Sequence, residues 1–171
     1  MQKRSNEVTM QGKPVTLLGA EIKVGDTAQD FTVTDPQLQP VKFSDFKGKI
    51  RIINAIPSID TSVCSKQLHR FNSEAANLND DVIIFSVSTD LPFALQRFSQ
   101  AEGIDAVKVT SDHKALDFGL KYGVAIEELR LLSRAVFVVD KNDQVVYVQY
   151  VKEITTEPDY DQALAAVKNI K

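Results

Sequence analysis

Ile50-Arg51-Ile52-Ile53-Asn54-Ala55-Ile56-Pro57-Ser58-Ile59-Asp60-Thr61-Ser62-Val63-Cys64 is the stretch on which the fold turns. Residues 50–56 carry too few polar side chains for a half-exposed strand, so they predict a central strand buried on both faces. Pro57 lacks an N–H and has a fixed φ, which suits a stiff apolar wall where the strand ends. Asp60 or Thr61 then offers a side-chain oxygen to cap a helix. Cys64, the only cysteine, falls in its first turn. Unpaired N–H groups and aligned peptide dipoles favour an anion there, and the thiolate is the reactive form of cysteine. Thr61 precedes Cys64 by three residues, so the spacing predicts both side chains on one face, with the hydroxyl in reach of the sulfur. A free cysteine is ordinarily a small buried hydrophobe; the helix start and Thr61 point instead to a reactive thiol.

The pattern extends outward in both directions. After Cys64, Leu68, Phe71, Ala75 and Leu78 recur at helical spacing and predict one core-facing stripe. Residues 82–87 read as a second central strand, and a helix crossing between two such strands is right-handed and leaves them parallel. Leu91 to Glu102 predicts a helix with Pro92 in its first turn and Gly103 as its stop. A short strand at 107–110 precedes a helix over Asp112–Tyr122, capped by Ser111 or Asp112 and ended by Gly123. Residues 135–139 and 145–150 flank the turn-rich 140–144 and predict an antiparallel pair. A last helix runs from about Pro158 to Ile170, with Tyr160, Leu164 and Val167 on one side. Towards the amino terminus, 31–33 is a short strand and 42–48 a strand end with a helical turn. Residues 7–18 read as a hairpin turning near Gly12, an addition ahead of the main fold. The order matches an α/β, thioredoxin-like fold: a mixed central sheet flanked by helices, with an added N-terminal β-hairpin. The expectation is a single domain over 1–171, with no repeat or linker dividing it.

Composition sets bounds on function. A chain of 171 residues buries roughly 70% of its unfolded surface in one core. Charged residues make up 25% and hydrophobic ones 43%, as in soluble globular proteins. A net charge of −3 without any basic run argues against nucleic acid as a partner. The apolar stretches are strand-length, short of a membrane span, and the polar first residues lack the apolar core of a signal peptide. The cytoplasm is therefore expected. A lone cysteine and two scattered histidines, His69 and His113, lack the ligand spacing of a zinc site. No other cofactor is implied. His69 lies about 140° around the helix from Cys64, and His113 sits near a helix start, so neither serves as the base a cysteine hydrolase needs.

Pro57, Thr61 and Cys64 form the pattern Pro-x-x-x-Thr-x-x-Cys, which resembles the active-site signature of the peroxiredoxins. The strings PSIDTSVC (57–64), SVSTDLPFALQRF (86–98), SRAVFVVD (133–140) and EITTEPDY (153–160) are similar, in order, to the bacterial thiol peroxidase branch of that family. The resemblance implies a thiol-dependent peroxidase that reduces hydrogen peroxide and organic hydroperoxides through Cys64 and a sulfenic acid, recycled by thioredoxin or another external thiol. It also implies a homodimer. Under it, Arg134 is the cation brought beside the cysteine, Thr61 aligns the peroxide with a nearby backbone N–H, and Pro57 walls the site. On composition alone Arg134 reads as a surface charge at a strand start.

In one place the chain departs from this pattern. The branch carries a resolving cysteine in the helix matching Leu91–Glu102, within a string like Arg-Phe-Cys; here the string is Arg97-Phe98-Ser99. Serine forms no disulfide. Either the protein works with one cysteine and an outside thiol, or Ser99 was engineered in place of a cysteine, and the second is favoured because serine is its isosteric substitute in an otherwise family-like helix. The alternative from another class is a peroxide-sensing module in which Cys64 is oxidised once and read by a partner. Asp90-Leu91-Pro92-Phe93, Tyr122 and Ile126 are candidates for a substrate rim or dimer surface.

Overall fold

The computed structural model describes residues 1–170. Strand β1 (Lys3–Met10) and β2 (Lys13–Leu18) form the hairpin, longer at its first strand than the sequence pattern predicts. Gln11 and Gly12 at its turn both have positive φ, 53° and 75°, the two-residue geometry whose twist matches that of the flanking strands. There follow β3 (Thr32–Thr34), β4 (Pro40–Lys42), a 3-10 turn at Phe43–Phe46, β5 (Ile50–Ala55), α1 (Ser62–Ala75), β6 (Val82–Ser88) and α2 (Pro92–Glu102). Then come β7 (Lys108–Ser111), α3 (Asp117–Lys121), β8 (Ala125–Ile126), β9 (Ala135–Val139), β10 (Val145–Tyr150) and α4 (Tyr160–Lys168).

Seven strands make one mixed sheet in the order β10-β9-β5-β6-β7-β3-β4, and β1, β2 and β8 make a second, three-stranded one. All six residues of β5 are buried, and β5 pairs parallel to β6 and antiparallel to β9, as the central position requires. Alternate side chains of β5 therefore enter two different cores. Ile53 and Ala55 face an aromatic cluster with Phe31, Phe85, Phe118, Tyr122 and Phe137. Ile50 and Ile52 face an aliphatic cluster with Cys64, Leu68 and Phe71 of α1, Leu95 of α2 and Val167 of α4. Among the described residues, no helix is long and apolar enough to cross a membrane.

Two expectations need correction. The helix foreseen over Asp112–Tyr122 is only Asp117–Lys121. Leu116 just before it takes a left-handed conformation, φ 52°, and the buried Asp112 carboxylate accepts the N–H groups of Gly119 at 2.8 Å and Phe118 at 3.3 Å. Asp112 thus caps the short helix from five residues ahead, while its own N–H goes to Ser88 at 2.8 Å. The hairpin, for its part, is integral to the body. Buried Arg4 donates from β1 to the Gly19 and Gly123 carbonyls and lies over the Tyr150 ring, and β2 pairs with β8, a strand the sequence pattern does not reveal. Gly123 does terminate α3's segment, at φ +63°; a Cβ there would lie 2.3 Å from the Ala20 carbonyl oxygen.

Burial raises the Asp112 carboxyl from 3.8 to about 6. The fold favours its protonated form, so its stabilising contribution is complete below the ordinary carboxylate range and is lost as pH rises through about 6. In urea unfolding, the wild type is expected to lose about 2 kcal/mol relative to Asp112→Asn between pH 4 and pH 7.5.

Candidate active site

Thr61, with extended dihedrals, is the N-cap of α1, and Asp60 is not: the Thr61 hydroxyl accepts the Cys64 N–H at 3.3 Å and donates to the Ser58 carbonyl at 3.2 Å. That geometry corrects one expectation. The hydroxyl is bonded to backbone groups on either side and makes no hydrogen bond to the sulfur. Helix geometry leaves the N–H groups of Ser62 and Val63 without acceptors inside the helix. Cys64 itself is fully buried.

Arg134 reaches the sulfur from the position just before β9, the strand paired with β5. Ala55 at the end of β5 is in register with Ala135 at the start of β9, so the residue before β9 arrives beside the Pro57–Cys64 turn. Its guanidinium is only 1% exposed, which makes every one of its donors count. Nε donates to the Ile154 carbonyl at 2.8 Å, Nη1 to Gln67 Oε1 at 2.7 Å and Nη2 to Cys64 Sγ at 3.2 Å. Among the described residues, no ion pair joins Arg134 to a carboxylate. The one ionisable acceptor it touches is the Cys64 sulfur.

Gln67 is the residue that sequence reasoning missed. It is fully buried, accepts from Arg134 and donates from Nε2 to Asn54 Oδ1 at 3.3 Å, and Asn54 in turn donates to the Phe85 carbonyl at 3.2 Å. A polar relay therefore runs from β6 through β5 and α1 to the guanidinium. Two signals were available. Asn54 is a polar side chain in a fully buried strand and needs a partner, and Gln67 lies three residues after Cys64, on the same helix face.

The turn that presents Cys64 is fastened by Asp90, which follows β6. Its carboxylate accepts the Ser58 hydroxyl at 2.7 Å, the Ile59 N–H at 2.9 Å and the Ser88 hydroxyl at 2.7 Å. Leu91 and Phe93 beside it are exposed, whereas Tyr122 and Ile126 are buried and belong to the packing rather than to a surface. His69 pairs with Glu102 at 3.0 Å and His113 with the Ser111 hydroxyl at 2.8 Å, and neither is bonded to Cys64. No group of three or more metal-ligating side chains occurs among the described residues.

A cavity of about 320 Å³ opens in front of Arg134 and is lined by Pro57, Thr61, Ser62, Val63, Ile154 and Thr155, and by Met10 and Gln11 from the hairpin. Pro57, Thr61 and Arg134 thus converge on one cavity with Cys64 behind its wall. Ser99 lies in α2 and lines a different cavity, and its hydroxyl is buried without a hydrogen-bond partner among the described residues.

Residues 23–164 match the Redoxin family model. The chain is 57% identical over 160 residues to a thiol peroxidase of Oceanobacillus iheyensis, covering 94% of this chain and 97% of that one. It is 52% identical to a thiol peroxidase of Bacillus subtilis, covering 95% and 96%. Among solved structures, a peroxiredoxin-like protein from Aquifex aeolicus superposes with a TM-score of 0.89 at 42% identity, over 96% of each chain.

Gln67→Leu removes the acceptor of Arg134 Nη1 and the donor to Asn54 while keeping similar volume. The expected result is a loss of about 2–4 kcal/mol in urea unfolding, because a buried charged donor and a buried carbonyl are left unpaired.

Proposed function

The chain belongs to the redoxin family as a thiol-dependent peroxidase, and from that premise we propose that Cys64 is the peroxidatic group and Arg134, Thr61 and Pro57 arrange its surroundings. The observation that carries this reading is the buried Arg134 guanidinium, 3.2 Å from Cys64 Sγ and without a carboxylate partner among the described residues. A cation removed from water requires an opposing charge or a full set of acceptors. A thiolate at a helix start supplies the charge, and it is the nucleophile the reaction uses.

The step balances without any cofactor. The thiolate attacks the terminal oxygen of a hydroperoxide, the O–O bond breaks as the S–O bond forms, and Cys64 becomes a sulfenic acid. The departing alkoxide or hydroxide takes a proton from water and leaves as alcohol or water. Arg134 presents fixed donors to the charge that passes from sulfur to the leaving oxygen. Thr61, Ser62 and Val63 line the cavity; the N–H groups of Ser62 and Val63 donate to the peroxide, and the Thr61 oxygen, whose own proton goes to the Ser58 carbonyl, keeps a lone pair to accept from it. Pro57 forms a rigid wall that contributes no donor.

An external thiol completes the cycle by condensing with the sulfenic acid, releasing water, and a second thiol frees Cys64 by disulfide exchange. We assign Ser99 to the position of the resolving cysteine. Its orphaned hydroxyl supports that assignment: a buried O–H without an acceptor costs about 1–3 kcal/mol, and a thiol, a weak donor, tolerates such a seat. Thioredoxin as the reductant, a cytoplasmic setting and a homodimer complete the reading on the family resemblance, and the exposure of Leu91 and Phe93 supports a second copy.

The test is to mix the reduced protein with one equivalent of hydrogen peroxide and follow intact mass and rapid kinetics. Fast gain of one oxygen is expected in the wild type and none in Cys64→Ser. In Ser99→Cys an internal disulfide and thioredoxin-driven turnover are expected, together with a stability gain of about 1 kcal/mol from removing the orphaned hydroxyl. Oxidation no faster than that of a free thiol would overturn the peroxidase path through Cys64.

A further inference from the structure

The tip of the hairpin and the loop after β10 are joined by one carboxylate. Glu153 accepts the Thr9 hydroxyl at 2.7 Å, the N–H groups of Gln11 and Gly12 at 3.0 Å each, and the Thr155 hydroxyl and N–H at 2.6 and 3.1 Å. The neighbouring backbone is tied to the same strand: Thr9 N–H donates to the Lys152 carbonyl at 2.7 Å and Ile154 N–H to the Thr9 carbonyl at 2.8 Å. The Ile154 carbonyl is the acceptor of Arg134 Nε. Met10, Gln11, Ile154 and Thr155, all adjacent to these bonds, form one side of the cavity in front of Arg134.

We propose that Glu153 is a positioning residue of the peroxide site: its carboxylate clamps the hairpin tip to the loop of Ile154, and so fixes both the Arg134 guanidinium and the cavity wall formed by Met10 and Gln11. It touches neither sulfur nor substrate. The proposal rests on the peroxidase reading, since the guanidinium it fixes matters only if Cys64 reacts there. Geometry distinguishes it from an ordinary surface acid. Five donors on one carboxylate exceed what the hairpin needs to close, because the turn and the β1–β2 pairing already close it. The two N–H groups that face outward from the turn end on Glu153 and nowhere else in the described structure. Those hydrogen bonds hold the carboxyl down at about 2, so the clamp stays ionised over the working pH range.

The experiment compares wild type, Glu153→Gln, Glu153→Ala and, as a control, Glu157→Gln, an exposed acid whose partner is the Tyr160 hydroxyl. Stopped-flow oxidation by hydrogen peroxide is recorded from pH 4.5 to 9, with thermal unfolding alongside. Glu153→Ala should oxidise about tenfold more slowly, with its rate–pH profile displaced to higher pH as the guanidinium loosens from the sulfur. Glu153→Gln, which keeps an accepting oxygen, should fall between it and the wild type, and Glu157→Gln should match the wild type. Should Glu153→Ala fail to fold, the displacement in Glu153→Gln decides. A lower unfolding temperature with rate and pH profile unchanged would reduce Glu153 to a structural clasp and overturn the proposal while leaving the peroxidase reading intact. A wild type that is itself slow would overturn both.

Discussion

A guanidinium sealed away from water has to be answered on every side, and much of this molecule is arranged to answer Arg134. Removing such a group from solvent costs several kcal/mol unless geometry restores its interactions. Its three acceptors come from distant parts of the chain: the sulfur and Gln67 from α1, and the Ile154 carbonyl from the loop after β10. None of them could be placed without the β5–β9 register, which sets Arg134 beside the end of the central strand. The sheet therefore acts less as a scaffold for the cysteine alone than as a device that brings a cation and a thiol from 70 residues apart into contact.

Division of the core into two faces follows from the same strand. On one side the rings of Phe31, Phe118, Tyr122 and Phe137 pack edge to face at 4.9 to 6.4 Å and give a rigid floor. On the other side aliphatic chains surround Cys64 and Leu68, and the Asn54–Gln67 relay runs through them. A dry wall behind the sulfur and a fixed dipole beside it are what an electrostatic site requires, because charges interact more strongly where water is excluded.

How far the sequence disclosed this depends on range. The buried strand, a helix cap at Asp60 or Thr61 and the position of Cys64 are legible because each rests on neighbours within a few residues. Arg134 was legible only through resemblance to a known family, since spacing says nothing about which strand ends meet. Gln67 left a readable trace in the polar Asn54 opposite it. The helix over 112–122 was misread because Asp112 caps at a distance, turning backbone that looks helical in composition into a loop around its carboxylate. The hairpin reads in sequence as an addition because its purpose depends on contacts between Thr9 and Glu153, 144 residues apart.

Asp90, the residue that leads into α2, fastens Ser58 and Ile59, so the turn before Cys64 and the helix carrying Ser99 share one knot. Cys64, in the helix that follows that turn, is fully covered. On the path proposed, both the peroxide and the external thiol need this cover to open, and the bulkier thiol needs the larger opening, so the oxidised sulfur waits in its seat until the knot loosens. During that interval a second peroxide can meet the sulfenic acid and carry it to the sulfinic state, from which thiols do not return it. On that path, three hydrogen bonds to one carboxylate bear on how an oxidation event divides between renewal and permanent inactivation.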